Sequence, residues 1–232
     1  MKYLFSLLTI LVCLGATAQT QQQKARQDSI PWEIRKQAYI YSIAKKYNDP
    51  AIARMALYNI LAENPGNQAI YDSLAVIYFD YNQLASAALV AQDAIKLNSN
   101  DLFATEIAAV AFENLGVKSK AVDHYEKLYL ANNDHGVLYK VAFLQMDLKR
   151  YGEAINNADI IIASPKSEEM MLIFPINEQK NQEISLKVAT IRLKGMIEEE
   201  RGNTALAKEI YQKALDMQPD FEILKQQIAE LK

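Results

Sequence analysis

Small and apolar residues recur along the chain in two interleaved helical faces. Alanine stands at Ala53, Ala87, Ala121, Ala154 and Ala207. Four residues after each come Leu57, Ala91, Tyr125, Ala158 and Tyr211, and three further on Ile60, Ala94, Leu128, Ile161 and Ala214. An i, i+4, i+7 spacing is one face of a helix. Upstream of each alanine, a second helical face carries Tyr41, Ala75, Ala109, Ala142 and Gly195. Three residues later stand Ala44, Tyr78, Phe112, Gln145 and Glu198. Turns separate the two faces at Asn48-Asp49-Pro50, Tyr81-Asn82-Gln83, Leu115-Gly116, Lys149-Arg150-Tyr151 and Arg201-Gly202-Asn203. Each second face ends in a polar or proline stop, such as Asn64-Pro65-Gly66 and Gln218-Pro219-Asp220.

The pattern therefore predicts helix-turn-helix units of about 34 residues over 34–67, 68–101, 102–134, 135–168 and 188–221. Prolines respect it: Pro31 and Pro50 open helices, and Pro65, Pro165 and Pro219 follow them. The tail 222–232 stays apolar at Ile223, Leu224, Ile228 and Leu231 and predicts a helix capping the last face. Residues 169–187 interrupt the array. Met170 to Phe174 is an apolar run ended by Pro175, and Gln182 to Leu186 alternates, which fits either a β-hairpin or a flexible loop. As an interruption, the insertion is expected to be dispensable for the stack.

Gly195, Gly202, Ala207, Tyr211, Ala214 and Pro219 stand at the spacing of the tetratricopeptide repeat motif, and the chain resembles that family. The resemblance implies an all-α fold: a right-handed solenoid of about five repeats with a capping helix, spanning 31–232. It also implies that the first helix of each repeat lines a concave groove.

The N-terminus reads as an address. Lys2 precedes an apolar run from Leu4 to Leu14, and Ala16-Thr17-Ala18 follows. That is the three-part pattern of a cleaved signal peptide over 1–18, too short for the roughly 20 apolar residues of a membrane span. Ala-x-Ala before Gln19 resembles exported proteins of Bacteroidota. The expected location is the periplasm of a Gram-negative cell, or outside it. Residues 19–30, Gln-rich and polar, predict a disordered linker.

Composition narrows the function. Half of the 232 residues are hydrophobic, enough for a core, and the net charge of −3 carries no basic excess of the kind a nucleic-acid binder shows. The one cysteine, Cys13, lies in the signal, so the processed chain has no thiol chemistry. His124 and His135 have no third ligand at metal spacing and read as surface histidines. Glu198-Glu199-Glu200 reads as a solvated face. With no phosphate loop or nucleophile elbow, the chain is expected to be no enzyme and to carry no cofactor or metal.

What remains is binding. Places 2, 5, 9, 12 and 13 of each first helix are expected to face the groove. There Val76, Phe79, Val110, Tyr139, Phe143 and Met146 are apolar, with Asp72, Asp80, Glu106, Glu113 and Asp147 around them. An apolar patch with a charged rim marks a recognition surface, here for a protein or peptide segment that is apolar with basic residues. Some family members hold a ligand carboxylate with Lys, Asn and Arg. Here Ala38, Ser42, Ser73, Phe103 and Ile107 occupy those places and do not support such a ligand. The expected role is a non-enzymatic periplasmic adaptor or assembly factor. The alternatives are an accessory subunit of an outer-membrane assembly, uptake or secretion complex, or a glycan- or lipid-handling protein or enzyme with the repeats as scaffold.

Overall fold

The computed structural model describes residues 30–177 and 180–231. The signal peptide expected over 1–18 and all but the last residue of the linker expected over 19–30 lie outside the described residues. The chain divides into two compact units, up to Ile77 and from Tyr78 on.

The first unit holds α1 (Trp32–Lys46), α2 (Pro50–Glu63) and most of α3 (Gln68–Asp80). Pro50 sits in the first turn of α2, and the Asp49 carboxylate accepts the Ile52 N–H at 3.1 Å, satisfying one of the helix's orphan donors. Helices α1 and α2 pack as an antiparallel pair through buried Ala44, Ala53, Ala56, Leu57 and Ile60.

The second unit continues with α4 (Leu84–Leu97), α5 (Leu102–Asn114), α6 (Lys118–Asn132), α7 (His135–Asp147) and α8 (Tyr151–Ala163). A single turn, α9 (Lys166–Glu169), leads into strands β1 (Met171–Asn177) and β2 (Lys180–Ser185). Then follow α10 (Leu186–Glu200), α11 (Thr204–Met217) and α12 (Glu222–Glu230). Consecutive helices pack side by side, α5 on α4 and α6, α8 on α7, α11 on α10. The fold is all-α helix-turn-helix repeats with one small sheet. Small residues set the close approaches: Ala87, Ala109, Ala121, Ala142, Ala154, Gly195 and Ala207 are all buried. Gly195 is the tightest, since a Cβ there would overlap the Tyr211 ring.

The turns inside the repeats share one conformation. Asn48, Asn82, Gly116, Lys149 and Gly202 all have positive φ, between 55° and 82°. Each stands at the fifteenth place of its repeat. Glycine and asparagine accept the left-handed region; Lys149, at φ 59°, occupies it against its Cβ.

The insertion is an antiparallel hairpin, with Met171 opposite Ser185 and Phe174 opposite Gln182. Pro175 does not end the strand: it lies within β1, beside the register shift between Pro175 and Asn177. Nor is the hairpin an appendage. Ile184 is buried in a cluster with Val188, Ala207, Tyr211, Phe221 and Leu224, and Leu172 and Phe174 pack against it. The Phe174 and Phe221 rings meet edge to face at 5.3 Å. Gln182 donates to the Asp220 carbonyl at 2.6 Å and accepts the Glu222 N–H at 3.1 Å. The hairpin thus belongs to the C-terminal cap, and the expectation that the stack could do without it is overturned.

Candidate functional site

The predicted groove residues fall in both units, so each unit is taken by itself. In the first, Asp72 and Val76 are half-buried on α3, and Asp72 Oδ2 accepts from Gln68 Nε2 at 3.2 Å. In the second, Phe79 is half-buried and Asp80 exposed at the end of the same helix.

The remaining residues lie on α5 and α7. Glu106 and Val110 of α5 line a recess of about 380 Å³ together with Tyr125, Leu128 and Asn132 of α6. Asp134 and the α7 residues Gly136, Val137 and Lys140 complete it. This is at the lower end of the roughly 300–1,000 Å³ of ligand pockets. Three helices build it because α6 packs on both α5 and α7. The Asp134 carboxylate caps α7 by accepting the Gly136 N–H at 2.7 Å. At one side the Tyr125 hydroxyl donates to Glu113 Oε2 at 2.5 Å, and Lys140 Nζ donates to the same oxygen at 3.1 Å. Lys140 Nζ also sits 5.3 Å from the Tyr125 ring centroid. Burial and then the Glu113 hydrogen bond push the Tyr125 phenol far above its ordinary range. Its apolar lining is Tyr125 and Leu128, both buried, and Val110 and Val137, both half-buried; Glu106, Asn132, Asp134 and Lys140 make the rest polar. Glu106 is exposed and Glu113 is already matched by Lys140, so the recess sets apolar side chains beside a net acidic rim.

Other predicted positions do different work. Met146 is only 2 % exposed and belongs to a core cluster with Ala142, Ala154, Leu193 and Ile197. It is not a groove anchor. Tyr139 and Phe143 are half-buried and pack against that cluster, Tyr139 also against the one around Ile184. The physical reason is that a first helix in a stack has neighbours on two sides. Helix α10 packs on both α8 and α7 and covers the twelfth place of α7, which a projection onto one partner leaves open. Asp147 pairs with Lys118 at 2.6 Å.

Two further expectations are corrected. His124 and His135 are buried, not on the surface. His124 stacks on Phe112 with ring centroids 5.7 Å apart, and His135 meets Tyr129 edge-on. The His124 Nδ1 is buried without a hydrogen-bond partner, and burial, followed by Lys127, lowers the pKa of the ring. Glu198-Glu199-Glu200 is solvated at Glu199 and Glu200, as expected, but not at Glu198. Glu198 is buried and holds Arg201 and Asn203, Glu199 accepts from Tyr211, and Glu200 from Tyr151. Among the described residues no group of three or more His, Cys, Asp or Glu is placed to hold a metal ion, and no helix is long and apolar enough to cross a membrane.

The recess residues Tyr125, Leu128, Asn132, Asp134, Val137 and Lys140 escape a reading confined to selected places of the first helices. One signal was present in the chain. Glu at place 12 stands with Tyr at place 24 in two repeats, Glu113 with Tyr125 and Glu199 with Tyr211, and both pairs are hydrogen-bonded. Where place 24 is Ala91 or Ala158, place 12 is Phe79 or Met146.

No family model matches the chain, and no curated protein matches it in sequence. Solved structures do match its fold. A tetratricopeptide repeat protein from Parabacteroides merdae is 20% identical, with a TM-score of 0.58 over 87% of this chain and 73% of its own. A MamA protein is 16% identical at TM-score 0.58, covering 82% of this chain and 96% of its own. YrrB, a TPR protein with an unusual peptide-binding site, is 14% identical at TM-score 0.61, covering 88% and 95%.

Proposed function

We propose that this chain, whose fold is that of the tetratricopeptide repeat proteins, is an exported, non-catalytic binding protein of the periplasm, an adaptor or assembly factor. It holds an extended or helical protein segment that is apolar with basic residues. The observation that carries the reading is the recess among α5, α6 and α7. Its apolar lining of Tyr125, Leu128, Val110 and Val137 takes an apolar side chain, and Glu106 and Asp134 favour a neighbouring cation. Apolar contacts would supply most of the affinity, and the acidic edge would set orientation and association rate. The peptide-binding site of YrrB adds support by analogy of fold alone.

The test is site-specific photo-crosslinking in intact cells. A photoreactive residue in place of Val110 should capture a discrete partner, whereas one in place of exposed Lys208 on α11 should not. Glu106→Lys should then slow association with the captured partner and flatten its salt dependence. Capture of the same proteins from Lys208, or unchanged binding by Glu106→Lys and Val110→Asp together, overturns the reading.

A further inference from the structure

The first helix leaves exposed a face that later first helices bury: Lys36, Tyr39 and Ile43 stand at the places where Ala104, Ile107 and Ala111, and Thr190, Leu193 and Ile197, are buried. At about 100° per residue, Trp32, Tyr39 and Ile43 fall on one line of α1, with Lys36 and Tyr47 on one flank and Arg35 and Lys46 on the other. Trp32 is 65%, Tyr39 68% and Tyr47 72% exposed, and Ile43 38%. The opposite side of α1 is engaged with α2 through buried Ala44 and the 3.2 Å hydrogen bond from Asn59 Nδ2 to Gln37 Oε1. The helix carries Arg35, Lys36, Lys45 and Lys46 against Glu33 alone, in a chain whose net charge is −3. The cations accompany the rings: the Arg35 guanidinium lies 5.8 Å from the Trp32 ring centroid, and Lys46 Nζ 5.5 Å from that of Tyr47.

We propose that this face of α1 docks on an anionic membrane surface. Tryptophan and tyrosine favour the headgroup level, where an apolar ring and a polar edge are both satisfied, and flanking lysines meet lipid phosphate. The helix lies in the interface and does not span it; among the described residues no helix can cross a membrane. A second copy is the poorer occupant. An isologous contact would bring Lys36 and Lys46 against the same lysines of the other chain. The proposal is independent of the recess on α5–α7, and either can fail without the other.

Trp32 is the only tryptophan of the chain, so its emission reports on this face alone. The processed chain, from Gln19 onward, is mixed with vesicles of phosphatidylcholine alone or with phosphatidylglycerol added. Binding is read by co-sedimentation and by Trp32 fluorescence. Expected are pelleting with the anionic vesicles only, a blue-shifted Trp32 emission on binding, and release by salt. Lys36→Glu with Lys46→Glu should weaken binding by about 25-fold or more, given the roughly fivefold worth of each basic residue near an anionic surface, with the helical circular dichroism unchanged. Tyr39→Ser should weaken it without changing the salt dependence. Equal pelleting with neutral vesicles, pelleting without a Trp32 shift, or no pelleting overturns the proposal. So does a Trp32 shift that follows protein concentration without vesicles, which would assign the face to another copy.

Discussion

The Tyr211 hydroxyl donates a 2.6 Å hydrogen bond to Glu199 Oε2, and Gln227 of the last helix donates to the Tyr211 oxygen at 2.7 Å. Three helices, α10, α11 and α12, are thereby joined at one phenol. The ring beneath it fills the space that Gly195 leaves, so glycine and tyrosine are complementary in volume. Gly195→Ala should therefore cost about 1–3 kcal/mol, the usual penalty of overpacking. Urea denaturation measures the cost, and hydrogen exchange should locate the damage in α10–α12 and not in α1–α2, as expected of an array whose repeats touch only their neighbours.

Removing the hydroxyl alone is a separate test. Tyr211→Phe keeps the ring and leaves Glu199 with Gln227 as its remaining donor, at 3.2 Å. A loss of about 1–2 kcal/mol is expected, in the range of hydrogen bonds to charged groups. Both Tyr211 and Tyr125 have phenol pKa values raised above the ordinary 10.0, first by burial and then by their glutamates. The stability they confer is complete below that ordinary value and is lost as pH rises above it. The double variant Tyr125→Phe/Tyr211→Phe should show a shallower alkaline loss of the unfolding midpoint than the wild type.

His124 works at the other end of the pH scale. Its pKa is lowered from 6.5, by burial first and then by Lys127, with Lys120 adding and Asp123 opposing. A depressed folded pKa means that the native state binds the proton less readily than the unfolded chain. Its share of stability is present above 6.5 and lost as pH falls below it. His124→Phe preserves the stacking on Phe112 and removes the titration. Urea midpoints between about pH 8 and pH 5, the window in which histidine changes charge, should fall less steeply for the variant than for the wild type.

The hairpin provides a fourth prediction. Ile184→Ala should cost about 2–5 kcal/mol, because its side chain is fully buried against Phe221 and Leu224. Ile173→Ala, on the exposed side of β1, should be near neutral. A larger loss for Ile173→Ala than for Ile184→Ala, measured by thermal unfolding, would mean that the strand faces are assigned in reverse.

Lys149 should be improvable. A left-handed conformation costs a β-carbon-bearing residue roughly 1–2 kcal/mol, and Lys149 is exposed at φ 59°. Lys149→Gly relieves that strain at a smaller entropic loss, so a gain of up to about 1 kcal/mol is expected. A scanning calorimeter reads it as a raised melting temperature.

The repeats were legible because close helix contact leaves a compositional trace. Ala87, Ala121 and Ala154 recur in phase, and all are fully buried. The hairpin was half legible: the alternation from Gln182 to Leu186 marked a strand, yet nothing in it marked Ile184 as core, because that depends on Phe221 arriving from far along the chain. The candidate surface was least legible. Glu106 and Val110 line the recess, whereas Met146 is buried by Leu193 and Ile197, which lie across the insertion and cannot be read from its own helix. The helical periodicity places Tyr125 on a packed face but gives no sign that its hydroxyl and Lys140 fix Glu113 at the recess.

Helix α12 and the hairpin also settle which way the array could grow. Phe221 and Leu224 are fully buried on α11, with Ile223, Ile228 and Leu231 packed behind them. The face on which a sixth repeat would stack is occupied. Head-to-tail polymerisation needs two complementary open ends, and a filament cannot extend from an end that is plugged. A further repeat could stack there only by displacing α12 and the hairpin from the apolar cluster they cover.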